Sequence, residues 1–355
     1  MVDVSSDQRS EQFAERLLAA FNDSAMMLLI SVGHRTELFD VMSTMDGAGS
    51  QDIAERAGLT ERYVREWLGG MVVSGVVEYD PGDETYRLPA DHAAWLTRAA
   101  APSNMAVMAS YLPVLAAIED ELVDAFRRGG GVPYSSYPRF QEVMAEDSGA
   151  VVDASLVGKT LPLVSGLVER LEQGIEVADI GCGSGHAVTT MARAFPNSTF
   201  IGYDISEEGV ARGREEAAAG GVSNAGFEVR DIASLGEVGR FGLITAFDVI
   251  HDQAKPDRVL ESVAKALAPC GVFLMVDFAA SSRLEENIDH ALGPALYMFS
   301  VMHCMTVSLA QGGAGLGTVW GEQTALQMLR EAGFADVSIE RIEDDPFNNY
   351  YVATL

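Results

Sequence analysis

Val177-Ala178-Asp179-Ile180-Gly181-Cys182-Gly183-Ser184-Gly185-His186 is the stretch that decides the fold. It reads as a buried strand ending in Asp179, a loop with glycine at 181, 183 and 185, and a helix that begins near His186. A glycine loop between strand and helix lets a ligand approach the backbone closely and aims helix N–H groups at it. The dinucleotide pattern G-x-G-x-x-G needs a third glycine at 186, where this chain has histidine. Asp179 stands beside the place a pyrophosphate would take, and like charge disfavours that neighbour.

A ligand carrying an ammonium and a sulfonium is attracted instead, which describes S-adenosylmethionine. The following residues agree. Ser198 to Asp204 reads as a second strand, and Asp204 falls where an acid accepts both ribose hydroxyls. A third strand, Gly226 to Val229, runs into Arg230-Asp231-Ile232. Asp231 can accept from an adenine amino group, and Ile232 offers the ring an apolar face. A fourth strand, Leu243 to Ile250, leads to His251-Asp252. A fifth, Val272 to Phe278, follows the turn Pro269-Cys270-Gly271, and two closing strands run from Val337 to Ile342 and from Tyr350 to Leu355. Short apolar runs alternating with helical segments predict a parallel α/β sheet with helices on both faces. Ligands bind such sheets at the carboxyl ends of the strands, where these acids lie.

Residues 173–355 resemble the class I S-adenosylmethionine-dependent methyltransferases, on DIGCGSG at 179–185, GYD at 202–204, RDI at 230–232, FDVIH at 247–251 and LAPCG at 267–271. The resemblance implies a Rossmann-like seven-stranded sheet, order 3-2-1-4-5-7-6, with the last strand antiparallel. It places Phe247 in the cofactor site, beside Asp179, Gly181, Gly183, Gly185, Asp204, Asp231 and Ile232.

The 355 residues suffice for two domains, and the net charge of −28 argues against polyanionic partners and for a small-molecule or cationic substrate. Three cysteines (Cys182, Cys270, Cys304) without C-x-x-C spacing suggest a reducing compartment, no disulfide framework and no zinc site. The polar start MVDVSSDQRSEQ lacks the apolar core of a signal peptide, and the run Ala25 to Val32 is too short to span a bilayer, so the expectation is a cytoplasmic protein without a membrane partner.

Ahead of the sheet, residues 11–31 read as an amphipathic helix. Three short helices follow: His34 to Met42; one capped by Ser50 and stopped by Gly58; and one capped by Thr60 that runs through Trp67 toward Gly75. Val76 to Tyr79 and Tyr86 to Leu88 flank the turn Asp80-Pro-Gly-Asp83 as a hairpin. This pattern looks like a winged helix. Residues 1–97 carry 7 basic against 17 acidic side chains, so no basic stripe is available for phosphates. The expectation is a dimerisation domain over 1–97 that does not bind nucleic acid, a helical linker over 98–172, and a methyltransferase domain over 173–355. Tyr134, Tyr137 and Phe140 in the linker either line the acceptor pocket or pin the linker to the core.

Methyl transfer to a hydroxyl needs the acceptor positioned and its proton removed, and histidine is the natural base near neutral pH. The small-molecule O-methyltransferases, which also carry a winged helix, have their base in an HDW motif after the fourth strand. This chain has His251-Asp252-Gln253 there, without the tryptophan. The same resemblance sets two acids beside the histidine, Asp277 after strand five and Glu322 at the start of the helix before Ala332-Gly-Phe334. A helix is expected from Leu284 to Ala310, kinked at Gly293-Pro294, and the resemblance implies that this region caps the acceptor pocket, with Tyr297, Met298, Val301, Met302, His303 and Met305 concentrated there; His303 is a second candidate base. Gly312 to Gly317 reads as the hinge of a mobile loop. The sequence thus predicts a homodimeric, metal-independent methyltransferase acting on an apolar or aromatic small molecule at a hydroxyl. An S-adenosylmethionine-sensing DNA-binding regulator, a nicotinamide oxidoreductase, and transfer to nitrogen, carbon or sulfur are the alternatives.

Overall fold

A computed structural model describes residues 6–355 of the chain. The chain divides into two compact units, Met1–Val114 and Leu115–Leu355.

The first unit is built on the helix Ser6–Arg35, followed by helices Leu38–Ser43, Ser50–Ala57 and Glu61–Val73. Strands β1 (Glu78–Asp80) and β2 (Thr85–Arg87) pair antiparallel, and Asp80 closes their turn by accepting from the amide of Gly82 at 2.7 Å. The core gathers Leu38, Phe39, Ile53, Trp67, Leu68 and Met71. Phe39 meets Trp67 edge-on at 5.3 Å, and the indole N–H donates to the Leu29 carbonyl at 2.8 Å. Gly33 permits this packing, because a Cβ there would lie 2.4 Å from the Trp67 ring.

Local chemistry corrects three sequence expectations in this unit. His34 belongs to the end of the long helix, and the chain breaks only at Glu37, whose φ is +60°. Gly49, not Ser50, holds the N-cap position; the Ser50 hydroxyl instead donates to Glu61 Oε1 at 2.6 Å. The apolar run 25–32 is part of a 30-residue helix which, like the helical run Gly293–Ala310, is long and apolar enough by length and composition to cross a membrane.

The second unit holds a seven-stranded sheet: β3 (Glu176–Ile180), β4 (Thr199–Asp204), β5 (Ala225–Val229), β6 (Phe241–Phe247), β7 (Leu267–Phe278), β8 (Asp336–Ile342) and β9 (Asp345–Thr354). Its order is β5-β4-β3-β6-β7-β9-β8, which counted within the sheet is 3-2-1-4-5-7-6. β9 runs antiparallel to both neighbours and the other pairings are parallel. Helices cover both faces, so the central strands are apolar throughout instead of alternating. One face packs Phe241, Ile244, Phe273, Leu260 and Phe334; the other packs Leu171, Val188, Met191, Phe200 and Leu243.

Two boundaries differ from the sequence reading in ways that shape the site. β6 stops at Phe247, because Asp248 takes a φ of +55° and the chain turns through Ile250–Asp252 as one 3₁₀ turn. That turn lifts His251 off the sheet. In the insertion, Leu284–Glu286 is a separate turn, and the helix begins at Gly293 with Pro294 in its first turn, where a missing N–H costs nothing. A π-helical segment, Ser300–Cys304, then joins it to the helix Met305–Ala310. Such segments are frequent at functional sites because the extra residue re-aims side chains.

Candidate active site

The glycine loop follows β3 and wraps back onto β4. The amides of Gly181 and Cys182 donate to the Tyr203 carbonyl at 2.7 and 3.1 Å. Gly181, Gly183 and Gly185 have φ of +69°, +53° and +75°, the left-handed region that glycine adopts without strain. A Cβ on Gly181 would meet Val249 at 2.5 Å, and one on Gly185 would meet the Phe227 ring at 2.2 Å. The loop therefore lies hard against its neighbours and presents bare backbone outward.

Acids surround that backbone. Asp204 ends β4, half-buried, and accepts from the amides of Gly183 and Ser206, both at 2.8 Å. An ionised carboxylate has about four acceptor sites, so two remain for hydroxyl donors. Asp179 is 3 % exposed, and Thr245 Oγ1 on the adjacent strand donates to it at 2.6 Å. Burial raises its pKa to about 7, against the lowering effect of the Thr245 bond. A buried acid of this kind gains strongly from a cationic ligand. Asp231 is exposed and accepts from the Ala233 amide at 2.9 Å, which starts the turn that buries Ile232. Phe247, half-buried, ends β6. This donor set fits S-adenosylmethionine: a backbone cradle, a free-sided acid for a ribose, and a buried acid for an ammonium.

His186 opens the helix after the loop, and both of its ring nitrogens are taken up by acids. Glu216 lies 2.6 Å from Nδ1 and Asp153 2.8 Å from Nε2, so the ring clamps three helices together. Burial opposes the imidazolium, and the bonds to these two acids outweigh it and raise the pKa.

On the other side of the β6 terminus, His251 is 2 % exposed and Asp277 fully buried. Nδ1 of His251 lies 2.9 and 3.1 Å from the two carboxylate oxygens of Asp277. Burial pulls the imidazolium pKa down, but the Asp277 carboxylate more than offsets it, and the result stands well above the ordinary histidine value. Asp252, half-buried, accepts from the Tyr134 hydroxyl and from Gln253 Nε2 at 3.1 Å. The sequence expectation for Glu322 is corrected: its carboxylate does not join His251 but faces Arg341 at 3.7 Å, in a cleft of about 210 Å³ shared with His290 and Asn349. The helix carrying Glu322 starts at Gly321, close against Ser282, and the Glu322 amide donates to the Ala280 carbonyl at 2.9 Å.

The insertion contributes a second buried imidazole. His303 stacks on Phe140 at 3.7 Å and meets Tyr137 and Tyr134 edge-on at 4.9 and 5.1 Å. Gly131 makes this approach possible, since a Cβ there would collide with the Thr306 carbonyl at 1.9 Å. Burial, with the charge of His251 nearby, pushes the His303 pKa down to about 3, so it stays neutral and is a feeble base. Of the two roles weighed for Tyr134, Tyr137 and Phe140, these contacts show the packing one: the three rings pin their segment against His303 of the insertion. Met298, Val301, Met302 and Met305 are half-buried along the same run, and Tyr297 is exposed. The glycine loop expected as a hinge is tied down instead: Gly317 donates to the His251 carbonyl at 2.9 Å and Ala314 to the Ala254 carbonyl at 3.0 Å.

Sequence reasoning missed Thr245 and Cys304. Thr245 was legible, as the lone polar side chain in the apolar strand Phe241–Phe247 paired with Asp179. The Cys304 thiol lies against His251, and nothing in its spacing announces that.

A winged-helix unit ahead of a class I methyltransferase fold, with a glycine cradle and a His–Asp pair at the strand ends, is the class this chain represents. Comparison supports it: residues 24–98 match the Rv2258c-like winged HTH domain and residues 171–333 match the Methyltransferase domain. Among curated relatives, the 2-heptyl-1-hydroxyquinolin-4(1H)-one methyltransferase of Mycobacteroides abscessus is 29 % identical over 125 residues, 34 % of this chain and 54 % of that protein. The chain spans about half or less of the length of the first curated relatives it matches. Among solved structures, a putative O-methyltransferase from Nostoc punctiforme superposes with a TM-score of 0.71 at 20 % identity, covering 97 % of this chain and 98 % of that one. Human N-acetylserotonin methyltransferase, solved with its cofactor, gives 0.68 at 17 % identity over 96 % and 97 %. These likenesses extend over both units and establish the shared fold.

Proposed function

We infer that this protein transfers a methyl group from S-adenosylmethionine to the hydroxyl of an apolar or aromatic small molecule, with His251 as general base. The observation that carries this reading is the His251–Asp277 pair, buried at the carboxyl end of β6 next to the glycine cradle. When bound, S-adenosylmethionine supplies a methyl group already activated by its sulfonium. Asp204 is the acceptor for the ribose, Asp179 the counter-charge for the ammonium, and Ile232 and Asp231 the adenine contacts.

The rest of the chemistry belongs to this chain. Asp277 holds Nδ1 of His251 and so fixes the tautomer that leaves Nε2 to take the hydroxyl proton. Burial keeps water from competing with the acceptor. Among the described residues neither Asp252 nor Asp277 pairs with a lysine or arginine, which favours a neutral hydroxyl over a carboxylate acceptor. The relative that acts on a hydroxyquinolone, a planar bicyclic acceptor, is consistent with this.

The active form is a homodimer. The helix Ser6–Arg35 leaves Phe13, Leu17, Leu18, Phe21, Leu28 and Val32 exposed, an apolar face suited to a second copy. The acidity of this unit speaks against the regulator reading, because duplex DNA requires neutralised phosphates.

The test is methyl transfer from labelled cofactor to size-matched phenols, amines and carboxylic acids, with the product bond identified by mass spectrometry. O-methylation of phenols is expected. Methylation confined to amines or carboxylates would overturn the reading.

A further inference from the structure

The geometry points to His303 as the residue that selects the acceptor, by hydrogen-bonding through Nε2 to a second polar group on a planar hydroxylated ring. This inference rests on the hydroxyl-transfer reading above and names its acceptor class: a polyfunctional aromatic rather than a simple phenol.

The argument starts from an unsatisfied atom. His303 is 2 % exposed, and its Nε2 is sealed from water with no hydrogen-bond partner among the described residues. Buried side-chain nitrogens are nearly always paired, so an orphan marks a place where a ligand or water belongs. The ring cannot turn to find a partner within the protein. Phe140 covers one face at 3.7 Å with the planes 10° apart, and Tyr137 and Tyr134 abut its edges. Those clamps are themselves fixed: Tyr137 donates its hydroxyl to the Met302 carbonyl at 2.6 Å, and Tyr134 donates to Asp252.

Two contacts tie the ring to the reacting centre. The Cys304 sulfur lies 3.6 Å from His303 Nδ1, and the same thiol lies against His251. Tyr134 packs on His303 while bonding Asp252, the neighbour of the base. The two imidazoles thus flank the Cys304 sulfur, and the proposal is that one planar acceptor spans from His251 to His303 Nε2. The imidazole stays neutral because burial disfavours its charge, so it pairs with a neutral group and does not compete for the hydroxyl proton. A hydroxyl on the acceptor satisfies either tautomer, because it both donates and accepts.

The test uses calorimetry on the full chain saturated with S-adenosylhomocysteine, titrated with 1-naphthol, 2-naphthol and a panel of dihydroxynaphthalenes. At least one diol is expected to bind about 10- to 100-fold more tightly than either naphthol, the worth of one buried hydrogen bond. His303→Phe keeps the stacking on Phe140 and should bring that ratio to about one; His303→Gln, which retains an amide at the same reach, should restore part of it. S-adenosylhomocysteine affinity serves as the folding control. Should both variants misfold, histidine ¹⁵N spectra of the wild-type protein decide, with a shift at one neutral imidazole on adding the preferred diol. No diol preference, a preference that survives in His303→Phe, or a ¹⁵N signal indifferent to the diol, as for a nitrogen served by water alone, overturns the inference. Equal binding of naphthols and diols with O-methylation of both sinks this inference and spares the hydroxyl-transfer reading. Diol preference without O-methylation does the reverse.

Discussion

Asp277 and burial pull His251 in opposite directions, and Asp277 wins. A raised imidazolium pKa means the base form fills only as pH climbs through that value. The acid limb of the rate profile should therefore lie above the ordinary histidine range near pH 6.5. Asp277→Asn removes the charge but keeps the shape. The largest influence raising the pKa is then gone, so the limb should move to lower pH while the maximal rate falls with the lost tautomer control. The opposite displacement would contradict the pairing. Stability follows the same sign: the ion pair contributes fully below about pH 6.5 and its contribution is lost as pH rises through the folded pKa. Asp179, with a pKa raised to about 7, makes a separate prediction. Binding a cationic ligand should release a proton below neutrality, and S-adenosylmethionine should bind about tenfold more weakly at one pH unit below that pKa. Calorimetry in buffers of different ionisation enthalpy measures the proton count; Asp179→Asn should abolish the release. Asp204→Ala removes an ionised acceptor of hydroxyl bonds and should cost about 1.5–3 kcal/mol, or about 10- to 100-fold in cofactor affinity.

The glycine loop and the first helix are tested as elements. Gly185 has a φ of +75° and no room toward Phe227, so Gly185→Ala should cost about 2–3 kcal/mol and lower Tm by roughly 5–10 °C in thermal unfolding. An unchanged Tm would mean the loop yields. On the helix Ser6–Arg35, Leu17→Asp with Phe21→Asp should convert dimer to monomer in sedimentation velocity, and a monomeric wild type would defeat the assignment. The elements themselves were largely legible. Buried parallel strands announce themselves as apolar runs, and the five motifs fall on their carboxyl ends. What escaped was local backbone chemistry: the αL turn at Asp248 that ends β6, the Gly49 cap, and Pro294 starting a helix instead of kinking one. Each depends on a single φ or a neighbour distant in sequence, which periodicity does not carry.

At the scale of the molecule, the proposed site draws on segments far apart in the chain. Tyr134 and Phe140 come from before the sheet, His251 from its middle and His303 from the insertion. The proposed cofactor half lies on the glycine loop and at the carboxyl ends of β4, β5 and β6, each flagged by its own short motif, and could be read from sequence. In the proposed acceptor half the His251–Asp277 pair was legible from the motif positions, whereas Glu322, expected beside the same histidine, faces Arg341. Cys304 has no sequence signal at all. The measurement that bears most directly on the whole account is single-turnover methyl transfer from S-adenosylmethionine to a dihydroxynaphthalene, comparing wild type with His251→Ala across pH. The expected result is a 10²- to 10⁴-fold loss of rate with cofactor affinity nearly unchanged and the acid limb abolished. A His251→Ala enzyme that retains near-normal turnover and the same pH profile would contradict it.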